Sequence, residues 1–166
     1  REDVIPYTAL MPGLDAIMLA HVEFPNIDAD FPASLSPRII RRFLRDQLGF
    51  DHHLVLTDDL DMGAIADRYP DSSDVPAALE AGNDLAMICH RTERAEEAAA
   101  RIERLPGYLR GDVEQRLERF RKRLHGPLAW SAAKWDTLCD EIAELASSVP
   151  AAATDGGEAG SPVADY

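Results

Sequence analysis

Three short apolar runs constrain the fold of this chain more than any other feature. Each continues without a polar interruption and then ends in polar residues, which is typical of strands buried on both faces of a parallel sheet. Helical patterns separate the runs, and an order of strand, helix, strand, helix, strand, helix predicts a parallel βα series. We therefore expect an α/β fold in which helices cover one side of three adjacent parallel strands, near residues 15–20, 54–58 and 84–89.

Capping residues mark where the helices between and after the strands begin and end. Ser36 is a candidate N-cap, and Gly49 ends the helix that follows it. Asp74 is a candidate cap for a helix that Gly82 ends, and Ser131 is a candidate cap for the last helix. Further helical patterns lie at residues 62–67, 92–105 and 112–124.

Composition divides the chain into three parts. Residues 1–110 hold the βα pattern, residues 111–146 hold further helices, and residues 147–166 are rich in Ala, Gly, Ser and Pro. The last part cannot bury a core and is predicted to be a disordered tail. The chain has 166 residues, 46% hydrophobic and 28% charged, which is the composition of a soluble globular protein.

The charge balance disfavours two classes of partner. Acidic residues outnumber basic ones 30 to 17, and the net charge of −13 argues against a nucleic acid or an anionic membrane. No apolar run approaches the roughly 20 residues of a membrane span. Residues 101–125 are locally basic, which we interpret as a solvated helix face, with anion binding as the alternative. Cys89 and Cys139 show neither a metal-ligand spacing nor a disulfide framework, which suits a reducing compartment.

Chemistry-bearing residues follow all three predicted strands. Functional groups of parallel α/β folds gather at the carboxyl ends of strands, where this chain has His21, the pair Asp58–Asp59, and His90. Adjacent carboxylates after a buried strand are costly to desolvate, which favours a functional role. The alternative is an ordinary loop pair, one member of which caps the helix near Met62. For each histidine the alternative is a structural residue at the edge of the core, whose ring nitrogens form hydrogen bonds with the protein.

Other kinds of site lack their sequence signatures. The Cys89–His90 pair has no second pair of ligands, so neither a metal centre nor a cofactor is predicted. Neither a glycine-rich phosphate loop nor a Gly-x-Ser-x-Gly elbow is present. His52 and His53 precede the second strand, at the amino end of the predicted sheet, and are interpreted as surface residues. A carboxylate-centred site on a parallel sheet remains.

Several motifs in residues 3–105 form a specific ordered pattern. They are Ala-His-Val-Glu-Phe-Pro at 20–25, Pro-Ala-Ser at 32–34, Leu-Arg at 44–45 with Leu-Gly-Phe at 48–50, Thr-Asp-Asp-Leu-Asp-Met at 57–62, and Ala-Gly-Asn-Asp at 81–84. Their order and spacing resemble the β-N-acetylhexosaminidases of glycoside hydrolase family 3 (the NagZ type). The resemblance implies a (β/α)8 TIM barrel, of which this chain would hold the carboxyl-terminal part, about three βα units.

The resemblance also implies roles for particular residues. Asp58 matches the family's catalytic nucleophile, and His21, Asp59 and Met62 would lie in the substrate pocket beside it. Side chains alternate along a strand, so the carboxylates of Asp58 and Asp59 would point to opposite faces of the sheet. Asp59 would then hydrogen-bond loop or helix amides near Met62, in a positional role.

One catalytic group of the family has no match in this chain. A retaining glycosidase needs a second group about 5–5.5 Å from the nucleophile to protonate the leaving oxygen. In the family that group is an Asp–His pair on an earlier loop, after a Lys-His-x-Pro-Gly motif. The chain has only two lysines, Lys122 and Lys134, and neither precedes a histidine. The acid/base is therefore expected to be missing.

These features give the leading functional expectation, with two alternatives. The chain would be part of a cytoplasmic retaining β-N-acetylglucosaminidase that removes terminal non-reducing N-acetyl-β-hexosamine residues in peptidoglycan recycling, and alone it would be inactive. Its expected partners are an N-acetylglucosamine-containing saccharide or muropeptide and the missing amino-terminal barrel half. The alternatives are a non-catalytic βα binding domain and a phosphoacceptor domain. The second alternative requires an acidic pair after the first strand and a lysine after the last, which are both absent.

Overall fold

A computed structural model describes residues 2–69, 71–127 and 129–148 of the protein. The chain divides into two compact units, with the boundary after Arg123. The first unit carries the predicted sheet and its helices, whereas the described part of the second unit carries a single helix. Cys89 and Cys139 are both free thiols.

Helices and strands alternate along the first unit. The strands are β1 (Ala16–Leu19), β2 (Leu54–Asp59) and β3 (Leu85–Met87). The helices are α1 (Ile5–Leu10), α2 (Arg38–Gln47), α3 (Gly63–Ala66), α4 (Asp74–Ala81), α5 (Glu93–Ile102) and α6 (Gly107–Arg123), of which α2 is wound as a π-helix. Single 3-10 turns lie at Glu2–Val4, Met11–Gly13 and Ala33–Leu35. The second unit contains α7 (Ala132–Ser148).

The three strands form one parallel sheet in the order β1-β2-β3. This confirms the prediction of three adjacent parallel strands. The pairing of β1 with β2 is regular along all of β1. The pairing of β2 with β3 shifts register between Leu56 and Asp59. The irregular part of the sheet therefore lies at the carboxyl end of β2, where the sequence places its pair of carboxylates.

Buried apolar side chains lie between the helices and one face of the sheet. One cluster centres on Leu60 and Ile65 and includes side chains from α4 and α5. The other packs Ile40 of α2 and Phe50 against Val55 of β2, with partly buried side chains of β1 around them. Burying these side chains against the sheet supplies the main stabilising free energy of the unit.

The opposite face of the sheet is open. Strand pairing aligns Met18, Leu56 and Leu85 in one row across the three strands. Met18 is 55% exposed and Leu85 is 38% exposed. Apolar side chains in the middle of a parallel sheet are normally covered on both faces. This face therefore has the character of a surface that another layer of structure covers.

The helix termini follow the predicted capping residues with one exception. The Ser36 hydroxyl accepts the Ile39 N–H at 3.1 Å, as expected for a cap. Gly82 has φ +113°, and a Cβ there would lie 2.9 Å from the Arg41 side chain, so the position needs glycine. The prediction for Asp74 is wrong, because it is the first residue of α4 and its carboxylate binds an arginine instead of helix amides.

A buried ion cluster closes the amino end of the sheet. The Asp84 carboxylate accepts Nη2 of Arg45 at 2.8 Å, Nε of Arg116 at 2.6 Å and the Val55 N–H at 2.8 Å. Arg45 also donates to the Gly82 carbonyl. Burial lowers the pKa of Arg45, and Asp84 opposes that shift. Arg116 is only 13% exposed, so the interpretation of residues 101–125 as a solvated face is wrong for this residue.

The boundaries differ from the predictions in two places. Helix α6 begins at Gly107 and the first unit continues past the predicted boundary at residue 110, because Leu109 and Arg116 pack into it. Helix α7 runs through Ser148, two residues into the predicted tail, and residues 149–166 lie outside the described residues. Within the described ranges, no helix has both the length and the apolarity to cross a membrane.

The histidine pair before β2 is split between surface and interior. His52 is exposed, as predicted. His53 is half-buried, which differs from the prediction. Its Nε2 donates to the Met11 carbonyl at 3.0 Å, and its ring lies 5.0 Å from the Phe50 ring. His53 therefore helps to pack the amino end of the sheet.

Candidate active site

The pair Asp58–Asp59 ends β2 where its pairing with β3 becomes irregular. The Thr57 hydroxyl accepts the Met87 N–H at 3.0 Å. The Met87 carbonyl accepts the Leu60 N–H at 2.9 Å, beyond the end of the strand. Irregularities of this kind redirect side chains and are common beside active sites.

The two carboxylates differ in exposure. Alternation along β2 places Asp58 on the open face with Leu56, and Asp59 on the covered face with Thr57. Asp58 is half-buried, and its Oδ1 accepts the Asp59 N–H at 2.8 Å. Asp59 is only 7% exposed. One carboxylate is thus accessible from the open face, while the other is held within the protein.

Asp59 joins the end of β2 to the segment that follows β3. Its Oδ1 accepts the Asp61 N–H at 3.0 Å and the Cys89 N–H at 3.1 Å. Its Oδ2 lies 2.8 Å from Nδ1 of His90, whose side chain is 40% exposed. The bond to Asp61 agrees with the expected contact to amides near Met62, whereas the bonds to the segment after β3 were not predicted.

Asp61 forms a second link between the same two segments. Its Oδ2 accepts the N–H groups of His90 at 3.0 Å and Arg91 at 2.8 Å. Its Oδ1 accepts Nη1 of Arg94 at 2.6 Å and Nε of Arg91 at 3.1 Å. Burial favours the neutral carboxyl group, yet the two amides and Arg94 together hold the pKa of Asp61 below its usual value. Asp61 is therefore a buried carboxylate that the surrounding donors keep ionised.

His21 and Met62 meet at the Asp59 carbonyl. Nε2 of His21 donates to this carbonyl at 2.9 Å, because a carbonyl oxygen can only accept. The Met62 N–H reaches the same oxygen at 3.1 Å. Nδ1 of His21 lies 2.6 Å from the Ser34 hydroxyl, so both ring nitrogens have protein partners. The ring of His21 thus supports the strand end on which the carboxylates lie.

Three side chains here bring possible metal ligands together, but their partners fit another role. Atoms of Asp59, Asp61 and His90 lie within 4.8 Å of one another. All four carboxylate oxygens already accept hydrogen bonds from amides, from His90 or from arginines. Two guanidinium groups beside Asp61 also oppose the binding of a cation. The donor set therefore fits an ion-paired hydrogen-bond network.

Comparison with known proteins establishes the family. Residues 1–122, which include the whole sheet and the carboxylate pair, match the glycosyl hydrolase family 3 N-terminal domain. The chain belongs to glycoside hydrolase family 3. This confirms the resemblance on which the assignment of Asp58, His21, Asp59 and Met62 is based.

Two relatives of the family 3 chain are named β-hexosaminidases. The chain is 40% identical over 104 residues to a β-hexosaminidase of Thiobacillus denitrificans, and the aligned residues cover 62% of this chain and 28% of the relative. A β-hexosaminidase of Pseudomonas aeruginosa is 38% identical over 105 residues, 63% of this chain and 31% of the relative. The chain therefore spans less than a third of the length of these relatives.

A solved structure supports the fold. The family 3 β-N-acetylglucosaminidase of Paenibacillus sp. str. FPU-7 superposes with a TM-score of 0.69 at 33% identity, covering 78% of this chain and 27% of that one. The parallel sheet of this chain is thus consistent with part of a family 3 barrel domain.

Sequence reasoning on the family 3 motifs missed the residues that hold the site together. Asp61 lies inside the Thr-Asp-Asp-Leu-Asp-Met motif, but its partners Arg91 and Arg94 come from a segment with no motif. Ser34 lies inside Pro-Ala-Ser, and its hydroxyl meets His21 across the site. The available signal was the motif position of Asp61 and Ser34, whereas nothing local pointed to Arg94.

Proposed function

We infer that this chain contributes the nucleophile-bearing units of a retaining β-N-acetylglucosaminidase. The observation that carries the proposal is the placement of Asp58, which the motif resemblance equates with the family nucleophile. It is the next-to-last residue of β2, beside the irregular pairing with β3, and strand alternation puts it on the open face of the sheet. The contacts of the neighbouring side chains support this role. The Asp59 carboxylate binds the Asp61 amide and the His21 ring binds the Asp59 carbonyl, so both groups are engaged with the protein and not with Asp58.

The chemistry proceeds in two displacements. The Asp58 carboxylate attacks the anomeric carbon, and the bond from that carbon to the leaving oxygen breaks as an acid protonates the oxygen. The result is a covalent glycosyl–Asp58 ester. A water molecule, deprotonated by the same acid/base group, then attacks the anomeric carbon and releases Asp58, with retention of configuration.

The acid/base comes from a part of the enzyme that this sequence does not contain. The family places it after a Lys-His-x-Pro-Gly motif, which the chain lacks. The open face fits the same proposal, because the row of exposed Met18, half-buried Leu56 and exposed Leu85 would be interior in a closed barrel. The partner of the chain is thus the amino-terminal barrel half, and the chain alone is inactive.

The substrate is a saccharide with a terminal non-reducing N-acetyl-β-glucosamine residue. The relatives named above are β-hexosaminidases and a β-N-acetylglucosaminidase, which supports this class. A muropeptide released in peptidoglycan recycling has such a residue, which would place the enzyme in the cytoplasm. The two displacements described above require neither a metal nor a cofactor.

The proposal is tested by restoring the barrel. A chimera is made in which this chain replaces the segment of the Thiobacillus denitrificans β-hexosaminidase that it matches. The chimera is expected to hydrolyse an aryl N-acetyl-β-glucosaminide, and the 166-residue chain alone is not. Asp58→Ala in the chimera should lower turnover at least about a thousandfold, because no covalent intermediate can form.

A matched control separates the site from the fold. Asp46→Ala removes an exposed carboxylate from α2 and should leave turnover unchanged. A folded but inactive chimera, or robust turnover by the chain alone, would contradict the proposal.

A further inference from the structure

Arg94 is a largely buried arginine beside the carboxylate pair. It lies on α5, directly after the segment that follows β3, and its side chain is only 10% exposed. Its guanidinium binds three different side chains. Nη1 lies 2.6 Å from Asp61, Nη2 lies 2.8 Å from both oxygens of Asp74, and Nε lies 3.2 Å from the Ser72 hydroxyl.

These contacts connect Arg94 to the segments around the carboxylate pair. Asp61 follows the end of β2 and also binds the amides of His90 and Arg91 after β3. A single guanidinium thus anchors the carboxylate that holds these two segments together. Asp61 in turn donates its own N–H to Asp59, the residue next to Asp58.

The backbone before α4 depends on the same group. Ser72 has φ +58°, in the left-handed region that non-glycine residues rarely adopt. Its hydroxyl accepts a hydrogen bond from Arg94, and the first residue of α4, Asp74, accepts two more. Such a conformation persists when its surroundings fix it, and strained backbone of this kind clusters at functional sites.

We propose that Arg94 is a positioning residue of the Asp58 site. It fixes the segments after β2 and β3 against the start of α4, so that Asp59 and His90 keep one arrangement beside the nucleophile. The catalytic consequence rests on the proposed function, whereas the effect on the two segments does not.

The geometry requires arginine at this position. A guanidinium offers five donors in a planar fork, so it can bind Asp74 with two bonds and still reach Asp61 and Ser72. A lysine ammonium is a point charge on a flexible stem and cannot hold all three partners in these directions. Arg91 cannot substitute, because its side chain is 46% exposed and contacts Asp61 through a single nitrogen.

Amide hydrogen exchange of the 166-residue chain tests the structural part. Arg94→Gln should raise the exchange rates of the His90 and Arg91 amides at least about tenfold, because Asp61 loses its anchor. The Val55 amide, bound to Asp84 at the other end of the sheet, should keep its rate. Arg94→Lys should give an intermediate increase.

The control lies on the same helix. Arg101→Gln breaks an exposed pair with Glu97 at 3.0 Å and should change none of these rates. Equal exchange of the His90 and Arg91 amides in Arg94→Gln and the parent chain would overturn the proposal. A uniform rise that includes Val55 would also overturn it, because Arg94 would then act on global stability.

Kinetics in the chimera test the catalytic part. Arg94→Gln should lower kcat by about tenfold or more with little change in KM, because it misplaces reacting groups instead of removing a sugar contact. Arg94→Lys should recover part of the loss. If exchange rises locally but kcat is unchanged, Arg94 does not position the site. If the parent chimera is folded and inactive, the proposed function fails, and the exchange data still decide the role of Arg94.

Discussion

At the amino end of the sheet, Asp84 binds Arg45 and Arg116; at the carboxyl end, Asp61 binds Arg91 and Arg94. Both carboxylates are fully buried. The arginines of the first cluster are 8% and 13% exposed, whereas those of the second are 46% and 10% exposed. The amino-end cluster is closed, while the carboxyl-end cluster extends from a buried interior to solvent.

The partners of the arginines differ in the same way. Arg45 donates mainly to backbone carbonyls: Nη1 reaches those of Phe50 and His53 before β2, and Nε and Nη2 reach that of Gly82 before β3. Burial lowers the pKa of Arg45 despite Asp84. For Arg94 burial also favours the neutral form, but the hydrogen bonds to Asp74 and Asp61 outweigh it and raise the pKa. One network holds the chain together, and the other holds side chains in place beside an accessible carboxylate.

The largest loss of stability is expected at the closed end. Asp84→Ala leaves Arg45 buried without its counter-charge and removes the partner of the Val55 N–H. We expect a loss of about 3–5 kcal/mol in the free energy of unfolding, measured by urea denaturation. Asp46→Ala, which removes an exposed carboxylate, should cost little. A loss below about 1 kcal/mol for Asp84→Ala would mean that the closed cluster is not structural.

Asp61→Asn should cost less and should depend on pH. The carboxylate is held by two amides and Arg94, so its loss is expected to cost about 1–3 kcal/mol at neutral pH. The pKa of Asp61 is lower in the folded chain than its ordinary value of 3.8. The stabilisation is therefore fully present well above pH 3.8 and disappears as the pH falls through the folded pKa.

Urea denaturation at a series of pH values measures this difference. The gap between the parent chain and Asp61→Asn should be constant above about pH 5 and should narrow below pH 3.8. A gap that widens as the pH falls would show that folding raises the pKa of Asp61 instead of lowering it.

The smallest effect is expected from an exposed ion pair near the carboxyl end. Arg68 and Glu23 lie 2.9 Å apart, with side chains 49% and 64% exposed. Solvent screens such a pair, so Glu23→Gln should change the free energy of unfolding by about 0.5 kcal/mol or less, and less still at high salt. If Glu23→Gln lowers the free energy of unfolding as much as Asp61→Asn does, the exposure of an ion pair does not determine its contribution to stability.

Local sequence patterns predicted the sheet because a βα series is encoded by neighbours in the chain. The apolar runs located all three strands, and Ser36 and Gly82 marked helix ends through their own backbone chemistry. Asp74 misled for the same reason, since its partner Arg94 lies 20 residues away. A capping preference depends only on neighbouring residues, so it cannot predict that a distant arginine binds the same carboxylate.

The candidate site was predictable only where a motif names it. Asp58, Asp59 and His21 lie in such motifs, and the structure brings them to one end of the sheet. Arg94 and Arg116 could not be found in this way, because their roles arise when α5 and α6 pack against distant carboxylates. Their spacing in the chain has no relation to the partners that they meet.

The most direct test of the central claim is to trap the nucleophile. A mechanism-based fluorosugar is incubated with the chimera, and fragmentation of the labelled peptide locates the sugar on a single residue. Asp58 and Asp59 are adjacent but differ in exposure, so the site of labelling distinguishes them. We predict that the label is on Asp58 and that it is absent from Asp58→Ala. A label on Asp59 would contradict the account. So would a chimera that hydrolyses the substrate but gains no label after incubation with the fluorosugar.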